Sequence, residues 1–413
     1  MASLVTLLRD MRYPTPQELA LAARALVAEH PDRAGLRQTG VSRAGRPLWL
    51  LSVDGRAGGG PRRVLVVAGA HANEPVGGAT ALELARRVVR DGGGGADWHF
   101  LLCADPDGAE LHRTPRPRSL LDYHHNFFRP PGPEQPEWAP SLLAPDRLPP
   151  ETLTLTALLD ELRPVLQVSL HGTDLGGSWV QLTRDVPGLA EPFAKSAAEL
   201  RIPVETGASD AAGWVSPGPG IFVMPETGAG PAGAFHPEDT RLSTWCHPGT
   251  TAIVEVPMWA SDLVDDPAPH PDPRGALRML AGRLTEDSGR VAGLRSGARG
   301  TDPGSAALLR AVDWTLGLIP RITAEWTGSG APAEATAAAV GSIDAFGRRL
   351  SLRAAAMLLR VLRTQGHPAA PGLDRLMTGW CEEFAARFQA RWVPVSTQVE
   401  HQVRTVLATY ERL

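Results

Sequence analysis

The sequence has little cysteine, lysine and tyrosine, and it contains no long run of apolar residues. Its three cysteines, Cys103, Cys246 and Cys381, are odd in number and far apart, so they predict neither a disulfide framework nor a thiolate metal site. No apolar stretch reaches the roughly 18–20 residues that a helix needs to cross a membrane. These absences argue against a disulfide-rich secreted domain, and we expect a soluble protein without a membrane partner.

An excess of basic charge is also missing. The chain has 41 Lys and Arg residues against 45 Asp and Glu residues, which gives a formal net charge of −4. A nucleic-acid-binding protein would need a basic patch, so no nucleic acid partner is expected. The opening residues, MASLVTLLRDMRYP, lack the basic region and the long apolar stretch of a signal peptide. We therefore expect a cytoplasmic location.

Short apolar runs bounded by turn residues are typical of strands that are buried on both faces. Four such runs occur, at residues 64–70, 98–104, 165–170 and 251–257. A hairpin is predicted over 39–54, and helical periodicity covers 71–90. An earlier helix is predicted to begin at Pro16, because Thr15 can cap it and Glu18 completes a capping box. Strands that alternate with helices predict an α/β fold with a mostly parallel mixed central sheet flanked by helices.

A segment rich in proline and aspartate, residues 264–275, divides the chain. We predict one domain over residues 1–263, this linker, and an all-α C-terminal domain over residues 276–413. Ser342 is predicted to cap a helix that runs to about Gln365. Apolar residues that recur at helical spacing beyond it are expected to form contacts between helices.

Polar side chains stand where three of the four apolar runs end. His71 directly follows the first run, and Glu74 comes three residues later, which brings both side chains to one side of a helical turn. His171 directly follows the third run, and Glu255 lies near the end of the fourth. Sites in open parallel sheets lie beyond the carboxyl ends of the strands. Two histidines and a carboxylate form a zinc site that leaves a position for water, and a further carboxylate can accept the proton of that water.

Five motifs carry a family resemblance. They are AGAHANEPVGG (68–78), DPDG (105–108), DYHHNFFRP (122–130), SLHGTD (169–174) and IVEVP (253–257). In this order they resemble the M14 family of zinc metallocarboxypeptidases, over about residues 15–262. The resemblance implies a zinc carboxypeptidase-like catalytic domain over residues 1–263. It extends to nothing beyond the linker.

The resemblance also implies roles for the polar residues at the strand ends. His71, Glu74 and His171 would hold one Zn²⁺ ion. Glu255 would act first as the general base and then as the acid that protonates the leaving amine. Each of these roles is carried over from the matching motif of the family to the residue that stands at that position here.

Family members place an oxyanion-stabilising arginine between the DPDG-like turn and the DYHHNFF-like segment. Three arginines lie there in this chain, at positions 113, 116 and 118. Spacing back from the second segment favours Arg116, with Arg113 as the next choice. The other arginines of this proline-rich stretch are expected to be solvated loop residues.

Two departures from the family pattern concern the substrate. Typical members carry Asn-Arg where this chain has His124 and His125, and that arginine grips the free C-terminal carboxylate of the substrate. An imidazole titrates near 6.5 and makes single hydrogen bonds, whereas a guanidinium is a permanent bidentate clamp. We expect His124, His125 and the adjacent Asn126 to contact the substrate, with a structural role for the two histidines as the alternative.

The second departure is a missing tyrosine. Many members carry one shortly before the catalytic glutamate, but this chain has none between residues 200 and 255. His247 is the candidate that could hydrogen-bond the substrate there, unless it belongs to a plain turn. The segment 174–250 is predicted to line the cleft. Trp179, Trp214 and Phe235 are candidates for an apolar wall of this cleft, with packing in the core as the alternative.

These features predict zinc-dependent hydrolysis of an amide bond in a small peptide or peptide-like metabolite. Resemblance to aspartoacylase and succinylglutamate desuccinylase leaves an N-acyl amino acid deacylase as an alternative. A third hypothesis is a catalytically silent module that binds metal or ligand. The presence of Glu255 argues against it. The predicted partner is thus a small peptide or an acylated amino acid. The C-terminal helices are expected to serve as a homo-oligomer interface or as a lid over the cleft.

Overall fold

The computed structural model describes residues 12–55, 62–225, 243–328 and 332–413. Its strands are β1 (Ala34–Val41), β2 (Pro47–Val53), β3 (Arg63–Ala68), β4 (Asp97–Leu101), β5 (Leu166–Leu170), β6 (Thr173–Gly176), β7 (Trp179–Leu182), β8 (Val215–Gly218), β9 (Ile221–Val223), β10 (Thr250–Glu255), β11 (Pro257–Ala260) and β12 (Arg391–Trp392). Nine strands form one sheet in the order β1-β2-β4-β3-β5-β10-β7-β9-β8, and a smaller sheet has the order β12-β11-β6.

The four strands at the centre of the large sheet, β4, β3, β5 and β10, run parallel to one another. They correspond to the four predicted apolar runs, and β5 is buried along its whole length. Leu170 at the end of β5 pairs with Ala68 of β3 on one side and with Val254 of β10 on the other. The carboxyl ends of these three strands therefore lie side by side at one edge of the sheet.

Helices surround the sheet and dominate the C-terminal part. They are α1 (Pro16–Glu29), α2 (Val76–Asp91), α3 (Pro106–Leu111), α4 (Leu120–His125), α5 (Ala139–Leu142), α6 (Pro150–Leu162), α7 (Ala190–Leu200), α8 (Pro273–Arg295), α9 (Pro303–Thr327), α10 (Ala337–Thr364), α11 (Ala370–Arg387) and α12 (Val395–Tyr410). The predicted capping box of α1 is confirmed, because Thr15 and Glu18 each accept a hydrogen bond from the other's backbone N–H. The predicted hairpin is formed by the antiparallel pair β1 and β2.

The start of α10 was wrongly predicted. The helix is capped by Thr336, whose side chain accepts a hydrogen bond from the backbone N–H of Ala339. Ser342 lies within the first turns of the helix, and its hydroxyl donates to Glu205 at 2.7 Å. Serine is a plausible cap by residue type, but here a tertiary partner uses its hydroxyl.

The C-terminal helices pack directly on the sheet domain. Trp392 of β12 pairs with Trp259 of β11, and α12 contacts α2, α7 and β10. Val403 and Val406 of α12 are fully buried and belong to the same apolar cluster as Val254 of β10. Burial of such a side chain stabilises the fold by about 1.5–3 kcal/mol. The division into two domains and a linker stays a prediction, and the segments share one core.

The predicted fold class is confirmed: a mixed, centrally parallel sheet is flanked by helices and followed by a helical C-terminal region. The two-residue strand β12 is the exception to the all-α description of that region. In the described part of the chain, no helix combines the length and the apolar character required to span a bilayer.

Asp105, at the N-terminus of α3, has a buried carboxyl group that titrates near neutrality. Its Oδ1 accepts a hydrogen bond from the Gly108 N–H at 2.8 Å, while Oδ2 is buried and has no hydrogen-bond partner among the described residues. Burial is the main cause that raises the pKa of Asp105 to about 7. The ionised form is therefore disfavoured in the folded chain.

Because this pKa exceeds the value of about 3.9 in an unfolded chain, the folded state binds more protons between the two values. The free energy of unfolding then falls as pH rises through that window. Asp105→Asn keeps a good N-cap and removes the titration. We expect the variant to be more stable than the parent at about pH 8, by at most about 4 kcal/mol for a shift of about three units. Thermal unfolding at about pH 4.5 and pH 8 measures this, and an equal Tm difference at both would contradict it.

Candidate metal centre and active site

The four polar residues predicted at strand ends converge at one edge of the sheet. His71 and Glu74 lie in the turn between β3 and α2, where the Glu74 N–H donates to the His71 carbonyl at 3.0 Å. His171 directly follows β5, and Glu255 is the last residue of β10. Because β3, β5 and β10 are neighbouring strands, residues far apart in sequence meet here.

Three of these side chains share one point. Nδ1 of His71 lies 3.1 Å from Oε2 of Glu74, and Nδ1 of His171 lies 3.0 Å from the same oxygen. All three candidate ligand atoms lie within 4.8 Å of one another, and all three residues are buried. Zn²⁺ binds histidine nitrogen and carboxylate oxygen at about 2.0–2.2 Å. The donor set and its spacing therefore fit a single zinc ion.

Burial and mutual charge set the protonation of this cluster. Burial opposes ionisation of Glu74, but the two adjacent imidazoles hold its pKa well below the usual range. Burial, and then the charge of Arg129, lowers the pKa of His71 to about 4. Burial also disfavours the charged form of His171, but hydrogen bonds with Glu137 and Glu74 outweigh it and raise that pKa well above the usual value. A carboxylate and a neutral imidazole are thus ready to ligate, whereas His171 must release a proton.

The ring of His171 is oriented by a carboxylate that the sequence did not predict. Glu137 is fully buried, and its Oε2 lies 3.0 Å from Nε2 of His171. The Ser169 hydroxyl donates to the other oxygen of Glu137 at 2.6 Å. If Nδ1 of His171 holds a metal ion, Nε2 carries the proton and donates it to Glu137, which is the usual arrangement around ligating histidines. Glu137 lies in no recognisable motif, so no sequence signal indicated this contact.

Glu255 stands beside the cluster without being one of its three members. Its Oε1 lies 3.8 Å from Nδ1 of His171. Burial, and then the negative charge of Glu74, raises the pKa of Glu255 to about 8. A cation at the cluster would favour the ionised carboxylate and lower this pKa. The position suits a base that acts on a molecule bound next to the cluster.

The arginine at the cluster is Arg129. One of its guanidinium nitrogens donates to Oε1 of Glu74 at 2.8 Å, and the other lies 3.1 Å from Nε2 of His71. Once Nδ1 of His71 ligates a metal ion, Nε2 carries a proton and cannot accept from Arg129. That half of the guanidinium is then available to another acceptor. Arg129 belongs to the DYHHNFFRP motif (122–130), and its place there is the sequence signal that could have indicated it.

Arg113 and Arg116 lie elsewhere. Both side chains are exposed, and neither belongs to the residues that line the cavity around the cluster. Arg113 forms an ion pair with Glu110 on the surface. The structure therefore corrects the choice of arginine. The proline-rich loop that carries Arg113 and Arg116 runs outside the site, whereas the chain re-enters it only at Arg129.

The two adjacent histidines point away from the cluster. His124 is fully buried, and its Nδ1 lies 2.7 Å from the carbonyl of Leu120 within α4. Nε2 of His125 lies 2.9 Å from Oδ1 of Asp374 on α11. Neither side chain lines the cavity. The expected substrate contacts are thus replaced by the structural alternative, because α4 packs against α10 and α11.

Asn126 and His247 also take structural positions. The Asn126 amide donates to the carbonyl of Asp122 at 3.1 Å and closes α4. Nδ1 of His247 accepts a hydrogen bond from the Gly249 N–H at 3.0 Å, so His247 belongs to a turn. Burial lowers the pKa of His247 to about 4, so the ring is neutral. Neither residue lines the cavity, which corrects their assignment to substrate binding.

A cavity of about 290 Å³ opens from the cluster and is enclosed on one side by the C-terminal helices. Trp179 and Trp214 line it as predicted, while Phe235 lies outside the described residues. Residues of helices α9 and α10 also line the cavity, so the helical region forms part of its wall. The Phe and Trp side chains that line the cavity are Phe127, Trp138, Trp179, Trp214, Trp245, Trp314 and Phe346.

Two arginines of α10 line the same cavity. Arg349 and Arg353 lie one helical turn apart, and both form ion pairs with the fully buried Asp174, at 2.6 Å and 3.7 Å. Asp174 thus faces two guanidinium groups, and the negative charges of Glu205 and Asp210 also act on Arg349. Nε of Arg353 has no hydrogen-bond partner among the described residues. Asp210 also lines the cavity, and burial raises the pKa of its carboxyl group.

Comparison with known proteins gives one family match. Residues 21–176 match the Peptidase_M14 family model, whose description is zinc carboxypeptidase. No curated protein matches the chain. A solved metallo-carboxypeptidase from Burkholderia cenocepacia is 17% identical, with 60% of this chain and 62% of that chain covered and a TM-score of 0.38. Thrombin activatable fibrinolysis inhibitor is 15% identical, with 48% and 56% covered and a TM-score of 0.32.

The chain thus spans less than two thirds of the length of these two structures. The family match contains His71, Glu74 and His171, and it ends before Glu255 and the helical region. The sequence motifs predicted this family, and the match confirms that the chain resembles the M14 zinc carboxypeptidases over residues 21–176.

Proposed function

We propose that the chain is a zinc-dependent hydrolase that cleaves an amide bond in a small peptide or peptide-like metabolite. The observation that carries the proposal is the convergence of His71, Glu74 and His171 on one point, with the carboxylate of Glu255 beside them. Such a set combines three metal ligands with a base that is not a ligand. The likeness of residues 21–176 to zinc carboxypeptidases supports the same chemistry.

Each residue of the site has a distinct task in this reaction. The chemistry that Zn²⁺ supplies in such a site is to polarise the scissile carbonyl and to lower the pKa of water. Glu255 accepts the proton of the attacking water and then delivers it to the leaving nitrogen. Arg129 donates a hydrogen bond to the carbonyl oxygen as negative charge develops there. It uses the guanidinium nitrogen that does not bind Glu74. Glu137 keeps the His171 ring in its ligating tautomer.

The cavity supports a small substrate. Its volume of about 290 Å³ lies at the low end of ligand pockets, and residues of α9 and α10 form part of its wall. A dipeptide-sized molecule or an N-acyl amino acid suits this space better than a long chain. N-acyl amino acid deacylation is therefore the second candidate, and the substrate panel below separates the two.

Direct metal analysis and a substrate panel test the proposal. We expect the purified full chain to bind about one zinc ion per molecule, as three protein ligands predict, and His71→Ala and His171→Ala to lose it. Short peptides and N-acyl amino acids are then compared by kcat/KM. Preference for peptides supports the leading proposal, and preference for acylated amino acids supports the second. A parent protein that binds no divalent metal would contradict both.

We further expect the substrate to carry an acidic group that binds near Arg349 and Arg353. The two guanidinium groups of α10 that line the cavity beside Asp174 support this expectation. Arg353→Met removes a charge that faces the cavity and keeps much of the side-chain volume. We expect KM for an acidic substrate to rise about tenfold or more, since a charged hydrogen bond contributes about 1.5–3 kcal/mol, with kcat little changed.

The matched comparison is the corresponding substrate with its acidic group converted to a neutral amide. The parent should discriminate between the two substrates in kcat/KM, and the Arg353→Met variant should lose most of that discrimination. Equal discrimination by both proteins would contradict the assignment.

A further inference from the structure

One glutamine of the C-terminal helix α12 contacts the backbone around the proposed metal centre. Gln402 is fully buried. Its Nε2 donates to the carbonyl of His171 at 2.6 Å and to the carbonyl of Val254 at 3.1 Å, while its Oε1 accepts from the Thr80 hydroxyl at 2.7 Å. The nitrogen and the oxygen of this one amide therefore both form hydrogen bonds with segments that carry site residues.

The three contacted segments are the ones that position the metal ligands and the base. His171 is itself a candidate ligand, Val254 precedes Glu255, and Thr80 lies on α2, whose N-terminus follows His71 and Glu74. The backbone N–H of His171 also donates to the Val254 carbonyl at 3.1 Å, so Gln402 adds to a direct contact between the two strand ends. The amide thereby connects all three parts of the site to one helix.

A second chain of hydrogen bonds runs from the neighbouring residue to Glu255. The Ser178 hydroxyl donates to the backbone carbonyl of Glu255 at 2.6 Å. Nε2 of His401 lies 2.8 Å from that hydroxyl and must donate to it, because the Ser178 proton is already used. The Ser196 hydroxyl lies 2.8 Å from Nδ1 of His401 and supplies the complementary bond. Burial lowers the pKa of His401 to about 3, so this ring is neutral, as the pattern requires.

We propose that α12 is a positioning element of the metal centre, in which Gln402 holds His171 and the end of β10 in the geometry that binds the metal ion. The inference rests on the proposed metal site, and it adds to it a region that contributes no ligand and lies outside the family match. Ligands bind a metal tightly only when surrounding hydrogen bonds fix them within a fraction of an ångström. Gln402 is thus a positioning residue and not a catalytic one.

Gln398, one turn earlier on the same helix, provides a matched control. It is also fully buried, and its amide makes two hydrogen bonds, to the Val393 carbonyl at 2.7 Å and from the Tyr13 hydroxyl at 3.0 Å. Neither partner belongs to a segment that carries a metal ligand or the base. Gln402→Met and Gln398→Met therefore remove similar buried polar contacts from one helix, and only the first touches the site.

The experiment compares zinc affinity and thermal stability in the full-length chain. The zinc dissociation constant is measured by competition with a chromophoric chelator, and Tm is measured on the metal-free proteins. Both variants should lower Tm. Gln402→Met should weaken zinc binding about tenfold or more, whereas Gln398→Met should change it less than about twofold. A purely structural role of Gln402 would give the two variants the same zinc affinity, and that result would overturn the inference.

A milder variant tests the inference if Gln402→Met does not fold. Thr80→Val removes only the hydroxyl that orients the Gln402 amide, so we expect zinc binding to weaken about two- to fivefold, between the two glutamine variants. If Thr80→Val matches Gln398→Met in zinc affinity, the inference is likewise overturned. Absence of zinc binding in the parent is a different result, because it refutes the proposed metal centre itself and with it this inference.

Discussion

Glutamine in place of Glu255 should lower kcat by about 10²–10⁴-fold, the usual contribution of a general acid–base residue, with zinc content unchanged. The amide has the shape of the carboxylate but cannot accept the proton of water. Glu255 is not one of the three clustered ligands, although its Oε1 lies within 3.8 Å of His171. Steady-state kinetics and metal analysis on the same preparation measure both parts of this expectation.

The pH profile adds a second readout. In the parent, kcat/KM should rise with pH as Glu255 ionises, because only the carboxylate can act as the base. Burial raises the pKa of Glu255 to about 8 without a cation, and a bound cation lowers it, so the rise should lie below that value. The residual activity of Glu255→Gln should lack this rise.

Glu255→Asp is the conservative control, since it keeps the carboxylate and withdraws it by one methylene group. We expect its activity to lie between those of the parent and the glutamine variant. Full activity of a zinc-loaded Glu255→Gln protein would contradict the role of Glu255 as the base. A parent that binds zinc but turns over no peptide or acylated amino acid would favour the catalytically silent binding module.

Replacing Arg129 with glutamine is expected to lower kcat about 10²–10³-fold, the typical loss when one oxyanion donor is removed. The guanidinium contacts Glu74 at 2.8 Å and reaches His71, so it is the cationic group that stands at the cluster. Its charge is needed most when negative charge develops on the substrate, and the effect should therefore fall on kcat more than on KM. Kinetics at saturating zinc separate this loss from any change in metal affinity.

Arg113→Gln and Arg116→Gln are the matched controls, because the family pattern pointed to these positions and the structure points to Arg129. Both side chains are exposed outside the cavity, so activity should stay within about twofold of the parent, as for most surface substitutions. A large loss in Arg116→Gln with none in Arg129→Gln would restore the original assignment. Arg129→Lys should recover part of the activity, since it keeps the charge without the planar fork.

Local sequence signals were sufficient to predict that His71, Glu74 and His171 meet at one edge of the sheet. Buried parallel strands appear as uninterrupted apolar runs, and the residue after each run lies at the carboxyl edge of the sheet. His71 and His171 follow two such runs, and Glu74 is fixed relative to His71 by a single turn. Their meeting required only that β3 and β5 be neighbours, which the parallel α/β pattern favours.

The contacts of the loops and of the C-terminal helices could not be predicted in this way. The proline-rich stretch before α4 has no periodicity that indicates where its arginines point. For this reason the sequence favoured Arg116, whereas the structure places Arg129 at the cluster. Residue type suggested substrate contacts for His124 and His125, but α10 and α11 pack against α4 and take those side chains as partners. The sequence suggested an oligomer interface or a lid for the C-terminal helices, but it did not indicate that Arg349 and Arg353 line the cavity or that Gln402 contacts the His171 backbone.

Short-range spacing and the common edge of parallel strands were thus enough to predict the fold class and the convergence of His71, Glu74, His171 and Glu255. Tertiary packing set three further features: the arginine at the cluster, the helices that line the cavity, and the buried side chains that hydrogen-bond the backbone around the cluster. Those contacts join residues separated by tens to hundreds of positions. They are set by how helices pack over the sheet, and this packing leaves no mark in any local pattern.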